Sequence, residues 1–297
     1  MRITNKLMAN TILDNLYKNS QNLLRLQEVV SSQKRINRPS DDPIGMGKVL
    51  GYRKALSSIE QYSTNIIRGK TQIELTDSSL ETIDDFLLEA RRIAVEQSSG
   101  TLDTRKIAAQ EIKGLYDQIL QLANTKLGSD YIFAGHLTDT APFSRDANYN
   151  ATYHGDDGDI RIIVGDNMDM KINTTGEDAF VSGINVFDVL RDLINGLENP
   201  DLVAGKAQID AQITPLTGAI DQVKAVWADA STTFTRLETT ENQLAKFKLN
   251  IQDMLSEIED ADIAQAIVEL QLQETVYETS LEAAATIIQP TLMDFLR

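Results

Sequence analysis

Cysteine is absent from this 297-residue chain, which excludes disulfides, thiolate metal sites and cysteine nucleophiles. Only two histidines occur, His136 and His154, too few for a histidine-rich metal centre. Aromatic residues make up 6% of the chain, with a single tryptophan, Trp227. So few large rings predict thin helical packing rather than one thick globule. Positive charge is short as well: 28 Lys and Arg stand against 44 Asp and Glu, a formal net charge of −16. A general nucleic-acid binder is thereby excluded, because phosphate contacts need clustered Lys and Arg. No run of about 18 apolar residues occurs, so no membrane insertion is expected. The opening MRITNKLMANTILDNLY has neither an apolar h-region nor a small-residue cleavage site. The expectation is a chain that stays in the cytoplasm or leaves it through a machine that needs no cleaved signal.

What the chain has in quantity is helical periodicity. Three segments follow the alternating 3 and 4 spacing that keeps one narrow apolar stripe facing a partner helix. The first runs Ile59, Tyr62, Ile66, Gly69, Ile73, Thr76, Leu80, Ile83, Leu87, Ala90, Ala94. A turn follows at Ser98, Ser99, Gly100 and Thr101, with Asp103 as the expected cap. The second stripe is Ala108, Ile112, Leu115, Ile119 and Leu122. The third runs from Leu216 through Ile220, Val223, Trp227 and Ala230 to Ile258, and Pro215 is expected to open its helix. At about 1.5 Å per residue the first and third are rods of roughly 55–65 Å.

Residues 138–181 differ in texture, being rich in Asp, Gly, Asn and Thr. Ile160 to Val164 are β-prone, and Met168 to Ile172 alternate apolar with polar. Gly155, Asp156, Asp157 and Gly158 read as a hairpin turn, as do Gly165, Asp166 and Asn167. The expected fold is mainly α: an elongated helical bundle or coiled coil formed by the N- and C-terminal regions, with a small antiparallel β module inserted in the middle, at one end of the rod. The expected domains are 1–42 with 260–297 as a terminal coiled coil, 43–137 with 183–259 as a helical rod, and 138–182 as the β module.

The two ends are opposite in charge. Residues 1–38 carry seven basic groups against Asp14 and Glu28, whereas from Leu249 onward Arg297 is the one basic residue among ten acidic ones. Both ends are amphipathic, with Leu13, Leu16, Leu23 and Val30 as one seam. The other seam is Ile263, Ile267, Leu270, Tyr277, Leu281, Ala284 and Ile288. A basic and an acidic helix of this kind are complementary, within one chain or between neighbours in an assembly.

Between the first seam and the first long stripe lies SSQKRINRPSDDPIG, residues 31–45. Pro39 and Pro43 rule out a continuous helix, and Asp42 as N-cap with Pro43 at the first helical position is the simplest local reading. Arg35 and Arg38 are expected to fork onto the Asp41 and Asp42 carboxylates. Catalytic, cofactor and metal sites are expected to be absent. The aspartates at 156, 157, 159, 166 and 169 miss the D-x-[DN]-x-[DN]-G calcium spacing and read as turn residues. His154 reads as a surface or half-buried strand residue rather than a ligand. Gly45, Gly47 and Gly51 lack the preceding strand and Lys-Ser/Thr pair of a phosphate loop. The N-terminal polar face is poor in the Lys and Trp that favour lipid surfaces.

Residues 31–45 resemble the signature of the bacterial flagellin superfamily, with Ser31 and Ser32, then Arg35, Ile36 and Asn37, then Asp41 and Asp42. The far end agrees, since Asp260, Ala261, Asp262, Ile263 and Ala264 followed by Leu270, Gln271, Leu272 and Gln273 resemble the flagellin-type C-terminal region. Within the superfamily, residues 131–143 with Tyr153, His154, Gly155 and Asp156, and the prolines 39 and 43, are similar to the hook-associated branch. The resemblance implies a secreted, extracellular structural subunit of the flagellum, exported unfolded and installed between hook and filament. Implied partners are further copies in a ring, a hook-side hook-associated protein, flagellin and an export chaperone. A short flagellin is the alternative within the family, and a cytoplasmic coiled-coil signalling module the alternative outside it. Long amphipathic helices without a partner are marginal, so residues 1–40 and 260–297 are expected to order only on assembly. The joint is assigned to Arg35, Ile36, Asn37, Pro39, Asp41, Asp42 and Pro43.

Overall fold

A computed structural model describes residues 5–288. Helix α1 spans Asn5–Ser32, α2 Pro43–Gln97 and α3 Leu102–Ala123. Three short strand pairs follow: β1 Lys126–Leu127 with β2 Asp130–Tyr131, β3 Phe143–Arg145 with β4 Ala151–Tyr153, and β5 Arg161–Gly165 with β6 Met168–Lys171. A π-helical turn, Glu177–Val181, leads to α4 Val186–Glu198, α5 Leu202–Glu259 and α6 Ile263–Ile288. The fold is mainly α, with small antiparallel strand pairs in the middle. By contacts the chain forms two compact units, Met1–Ser58 with Lys246–Arg297, and Ile59–Ala245. Helices α2 and α5 contribute to both.

In the second unit the heptad stripe of α2 is buried almost throughout. Ile66, Leu80, Ile83, Leu87, Ala90 and Ala94 are shut off from solvent, and Leu216, Val223 and Leu237 of α5 are equally closed. Each such aliphatic side chain contributes about 1.5–3 kcal/mol over leaving it in water. That explains why α5 runs through Pro215 rather than starting there. The proline removes a hydrogen bond and crowds the turn before it, at about 3 kcal/mol or more. Ile209 before it and Leu216, Ala219, Ile220 and Val223 after it are nevertheless buried in one core, and their combined burial exceeds that cost. The helix begins instead at Leu202, capped by Asp201, whose Oδ1 accepts from the backbone N–H of Val203 at 2.8 Å and of Ala204 at 3.2 Å. These bonds hold the Asp201 carboxyl below the usual carboxylate range. At α3 the cap is Thr101, which accepts from Thr104 N–H, and Asp103 sits within the first turn, where its charge suits the helix dipole.

The scarce aromatics are concentrated rather than spread. Tyr116, Phe133, Phe143, Phe180 and Phe187 gather where α3, α4 and the β3–β4 pair meet, with Tyr149 and Tyr153 at the margin. Phe187 lies 5.0 Å from Phe143 and 5.4 Å from Tyr116 between ring centroids. Tyr116 Oη donates to the Tyr149 carbonyl at 2.9 Å, and burial pushes its hydroxyl pKa up. The second unit therefore has a thick core at this point, where low aromatic content alone predicts thin packing.

The β module is antiparallel, as expected, and within residues 138–182 it consists of two separate two-stranded pairs, β3–β4 and β5–β6. The β5–β6 hairpin has the register Ile162 opposite Met170 and turns at Asn167, which adopts φ 55°. Its apolar face, Val164, Met170 and Ile172, is buried with Ile66 and Ile73 of α2 and with Ala230 and Leu237 of α5. Gly69 allows this close approach, because a Cβ there would press on Ile162 and Ile172. The hairpin thus lies along the helices, where the expectation put it at an end. Residues 155–158 are not a hairpin turn but a connector fastened to the preceding loop. Asp156 Oδ1 accepts from His136 N–H at 2.6 Å and from Gly158 N–H at 3.2 Å. Gly135, at φ 68°, sits so close that any side chain would overlap Asp156. His154 is exposed, its ring 2.7 Å from Ser144 Oγ.

In the first unit, α1 and α6 pack antiparallel. The covered face of α1 is Ile12, Leu16, Asn19, Leu23, Leu26 and Val30, and that of α6 is Ile263, Ala266, Leu270, Gln273, Tyr277, Ser280 and Ala284. Leu16, Leu23, Val30, Ile263, Leu270 and Tyr277 therefore lie on the seam. Leu13 does not, being 55% exposed, and Ile267 and Leu281 are 41% and 44% exposed. The 3 and 4 spacing explains this: Leu13 stands one residue beyond Ile12, about 100° around the helix. The Ile288 side chain lies outside the described residues. Polar groups interrupt the seam, with Asn19 Nδ2 donating to Ser280 Oγ at 3.0 Å and Gln273 Nε2 to the Asn19 carbonyl at 3.3 Å.

Candidate functional site

The segment between α1 and α2 is held by four kinds of contact, each traceable to a residue type. α1 ends because Gln33 turns left-handed, at φ 61°, which aims its carbonyl at Ala261 N–H, 3.0 Å away. Lys34 then pairs with Asp260 as an isolated antiparallel bridge, and Arg35 N–H donates to the Glu259 carbonyl at 2.7 Å. The two inter-helix connectors, far apart in sequence, thus form a short two-stranded clasp.

Arg35 and Arg38 do not fork onto Asp41 and Asp42. The Arg35 guanidinium donates to the Ile258 carbonyl at 2.8 Å, a cation on the last turn of α5 where the helix dipole is negative. Arg38 reaches back to Glu28 of α1, 2.8 Å away. The aspartates are occupied by the backbone instead. Asp41 Oδ2 accepts from Arg38 N–H at 2.9 Å and from Asn37 N–H at 3.2 Å, closing a turn in which Pro39 supplies the fixed φ. Asp42 Oδ1 accepts from Gly45 N–H at 2.9 Å, the N-cap geometry expected with Pro43 as first helical residue. Asn37 Nδ2 donates to the Lys34 carbonyl at 3.0 Å. Ile36, 2% exposed, is the apolar pin of the turn. Gly45 packs so tightly that an added Cβ would strike both the Asp42 carboxylate and Ile36.

Sequence reasoning missed the residue on which these contacts converge. Glu259, the last residue of α5, is 2% exposed and takes two cations, Lys34 at 2.5 Å and Arg53 of α2. One carboxylate therefore joins the α1–α2 connector, α2 and the end of α5 within the first unit. The available signal was a glutamate at an apolar-flanked helix end opposite a basic N-terminal segment. Just beyond it, Asp262 Oδ1 caps α6 by accepting from Gln265 N–H at 3.1 Å. This arrangement can fix an angle between helices and transmit load, and it offers no nucleophile with an activating base. Among the described residues no group of three His, Asp or Glu is placed to hold a metal, and no helix is long and apolar enough to cross a membrane.

Replacing Asp41 and Asp42 together by Ala removes two side-chain acceptors of backbone N–H groups, each worth about 1 kcal/mol. The double variant is expected to speed hydrogen exchange at the clasp amides of Arg35 and Ala261 strongly while lowering the melting temperature of the aromatic core by little. Equal loss in both measurements counts against a joint at residues 31–45.

Helix α1 lying on α6, with a capped connector and a clasp at residues 33–35 and 259–261, is the geometry of a subunit built for helix packing. The chain belongs to the bacterial flagellin superfamily: residues 3–138 match the bacterial flagellin N-terminal helical region and residues 213–296 the C-terminal helical region. Among individual proteins it is 28% identical to flagellar hook-associated protein 3 of Escherichia coli (strain K12), over 95% of this chain and 96% of that one. It is also 27% identical to flagellin of Bacillus subtilis (strain 168), over 91% of this chain and 90% of that one. The fold is shared with hook-associated protein 3 of Legionella pneumophila at a TM-score of 0.65 and 16% identity, covering 71% of this chain and 98% of that one.

Proposed function

We propose that this chain is a structural adaptor at the hook–filament junction of the bacterial flagellum, connecting a hook-associated protein on the hook side to the flagellin filament. The observation that carries the reading is the end-to-end match with a flagellar hook-associated protein 3. Its mechanism is helix packing. Leu13, Tyr17 and Leu24 of α1, and Val268 and Leu272 of α6, are exposed beside a seam that is already filled. Such stripes suit a wall in which neighbouring copies cover one another, so the chain joins further copies of itself in a ring. It travels unfolded through the flagellar export apparatus, held beforehand by an export chaperone, and it acts outside the cell.

Cells lacking the chain are expected to carry hooks without filaments and to release flagellin into the medium, with both defects reversed by supplying the gene in trans. Electron microscopy of the hooks and assay of the medium decide this. Filaments of normal length on such cells overturn the junction role. Purified chain that polymerises alone into long filaments supports the short-flagellin reading instead, and protein confined to the cytoplasm supports a signalling module.

A further inference from the structure

Asp84 stands among Leu80, Ile83 and Leu87 on the buried stripe of α2 and is itself only 6% exposed. Its Oδ1 is buried with no hydrogen-bond partner. Oδ2 faces a single cation, Lys224 of α5, at 3.6 Å, outside hydrogen-bond distance, and that ammonium is itself half in water. The other charge bearing on it, Asp85 of the same helix, has the same sign. A shape-matched apolar residue here would join its neighbours in the core, whereas the carboxylate gives up its water without gaining full replacement.

We propose that Asp84 is a built-in weakness of the second unit, a buried charge that keeps the folded helical body easy to open. The inference rests on the reading above, in which the chain is exported unfolded. A body whose stripe around Asp84 is filled with Ile, Leu and Ala needs such a weakness if it is to be unravelled before passage. The sign of its pH dependence follows from burial, which raises the Asp84 pKa above the ordinary carboxylate value despite the opposing pull of Lys224. In mild acid the group is protonated in folded and unfolded chains alike, and the folded state carries no penalty. As pH rises the unfolded chain ionises first, so the second unit loses stability until pH passes the raised folded value, and the full weakness is present at neutral pH.

The test uses full-length protein and the fluorescence of Trp227, which lies in the second unit and so reports on it. Asp84→Leu is expected to reduce the unfolded fraction at pH 7 about ten-fold, the scale of relieving one buried unsatisfied group, and Asp84→Asn, which removes the charge but keeps a buried polar group, to reduce it by less. Both should also remove part of the stability lost between mild acid and pH 7. Lys224→Met should act oppositely, since it strips the remaining partner, and this keeps the idea testable if an Asp84 variant fails to fold. In cells, the stabilised variants should appear in the medium several-fold more slowly than wild type. Coupling Asp84→Leu to the core-weakening Ile220→Val should restore part of the rate. Unchanged or lower stability of both Asp84 variants overturns the proposal, as does a gain in stability with export at the wild-type rate. Wild-type protein that never leaves the cell overturns the export reading itself, a result separate from the fluorescence measurements.

Discussion

Phe187→Ala should lower the stability of the second unit by about 3–5 kcal/mol, the cost of deleting a large buried ring from a packed core. The side chain is 1% exposed and touches rings on three different elements. Its centroid lies 5.0 Å from Phe143, 5.4 Å from Tyr116 and 6.1 Å from Phe180. Urea titration followed by Trp227 fluorescence measures the loss. A double-mutant cycle with Phe143→Ala should show a coupling of about 0.5–1.5 kcal/mol beyond the area each ring buries. A loss below 1 kcal/mol would show that the aromatic cluster is loosely packed and that the aliphatic stripes alone hold the unit.

Removing the two cations at Glu259 should be more damaging than removing Glu259 itself. The carboxylate is 3% exposed, whereas the side chains of Lys34 and Arg53 are 38% and 50% exposed. In Lys34→Met with Arg53→Met the acid remains buried and unpaired, a situation that costs about 3–5 kcal/mol. In Glu259→Gln the two cations turn outward into water, and the loss should be about 1–2 kcal/mol, the scale of charge-assisted hydrogen bonds exchanged for neutral ones. Hydrogen exchange at the backbone amides of Arg35 and Ala261, which close the clasp, reads the first unit directly. If Glu259→Gln proves as harmful as the double variant, the carboxylate acts through its shape rather than through its charges.

Much of the helical body was legible because its information is local. The run from Ile59 to Ala94 repeats at 3 and 4, and nearly every member of it is buried. The same rule, applied more loosely to the ends, chose Leu13, Ile267 and Leu281, one position away from Ile12, Ala266 and Ser280. Apolar residues surround both helices there, so hydrophobicity alone does not single out the covered face. At the joint, residues 39–43 announced the turn and the cap because proline and aspartate act on their nearest neighbours. The destinations of Arg35 and Arg38 were not legible from short range. Asp41 and Asp42 are the nearest carboxylates in sequence, but backbone N–H groups had already filled them. Glu259 was hidden for the same reason, since its partners lie more than two hundred residues away in the chain. The strand pairs were legible in type but not in placement. Their β propensity was visible in residues 160–172, but which surface a hairpin leans on is a tertiary choice, decided here by the space above Gly69.

The antiparallel pairing of α1 with α6 has a mechanical consequence. The beginning of α1 lies beside the later part of α6, and both helices meet again at the Lys34–Asp260 bridge. Tension applied between the start of α1 and the far end of α6 peels the helices apart one contact at a time, as a zip opens, and reaches the bridge last. Tension entering through α2 and α5 loads the bridge first. The same few hydrogen bonds are thus the final stop for one direction of pull and the first resistance to the other.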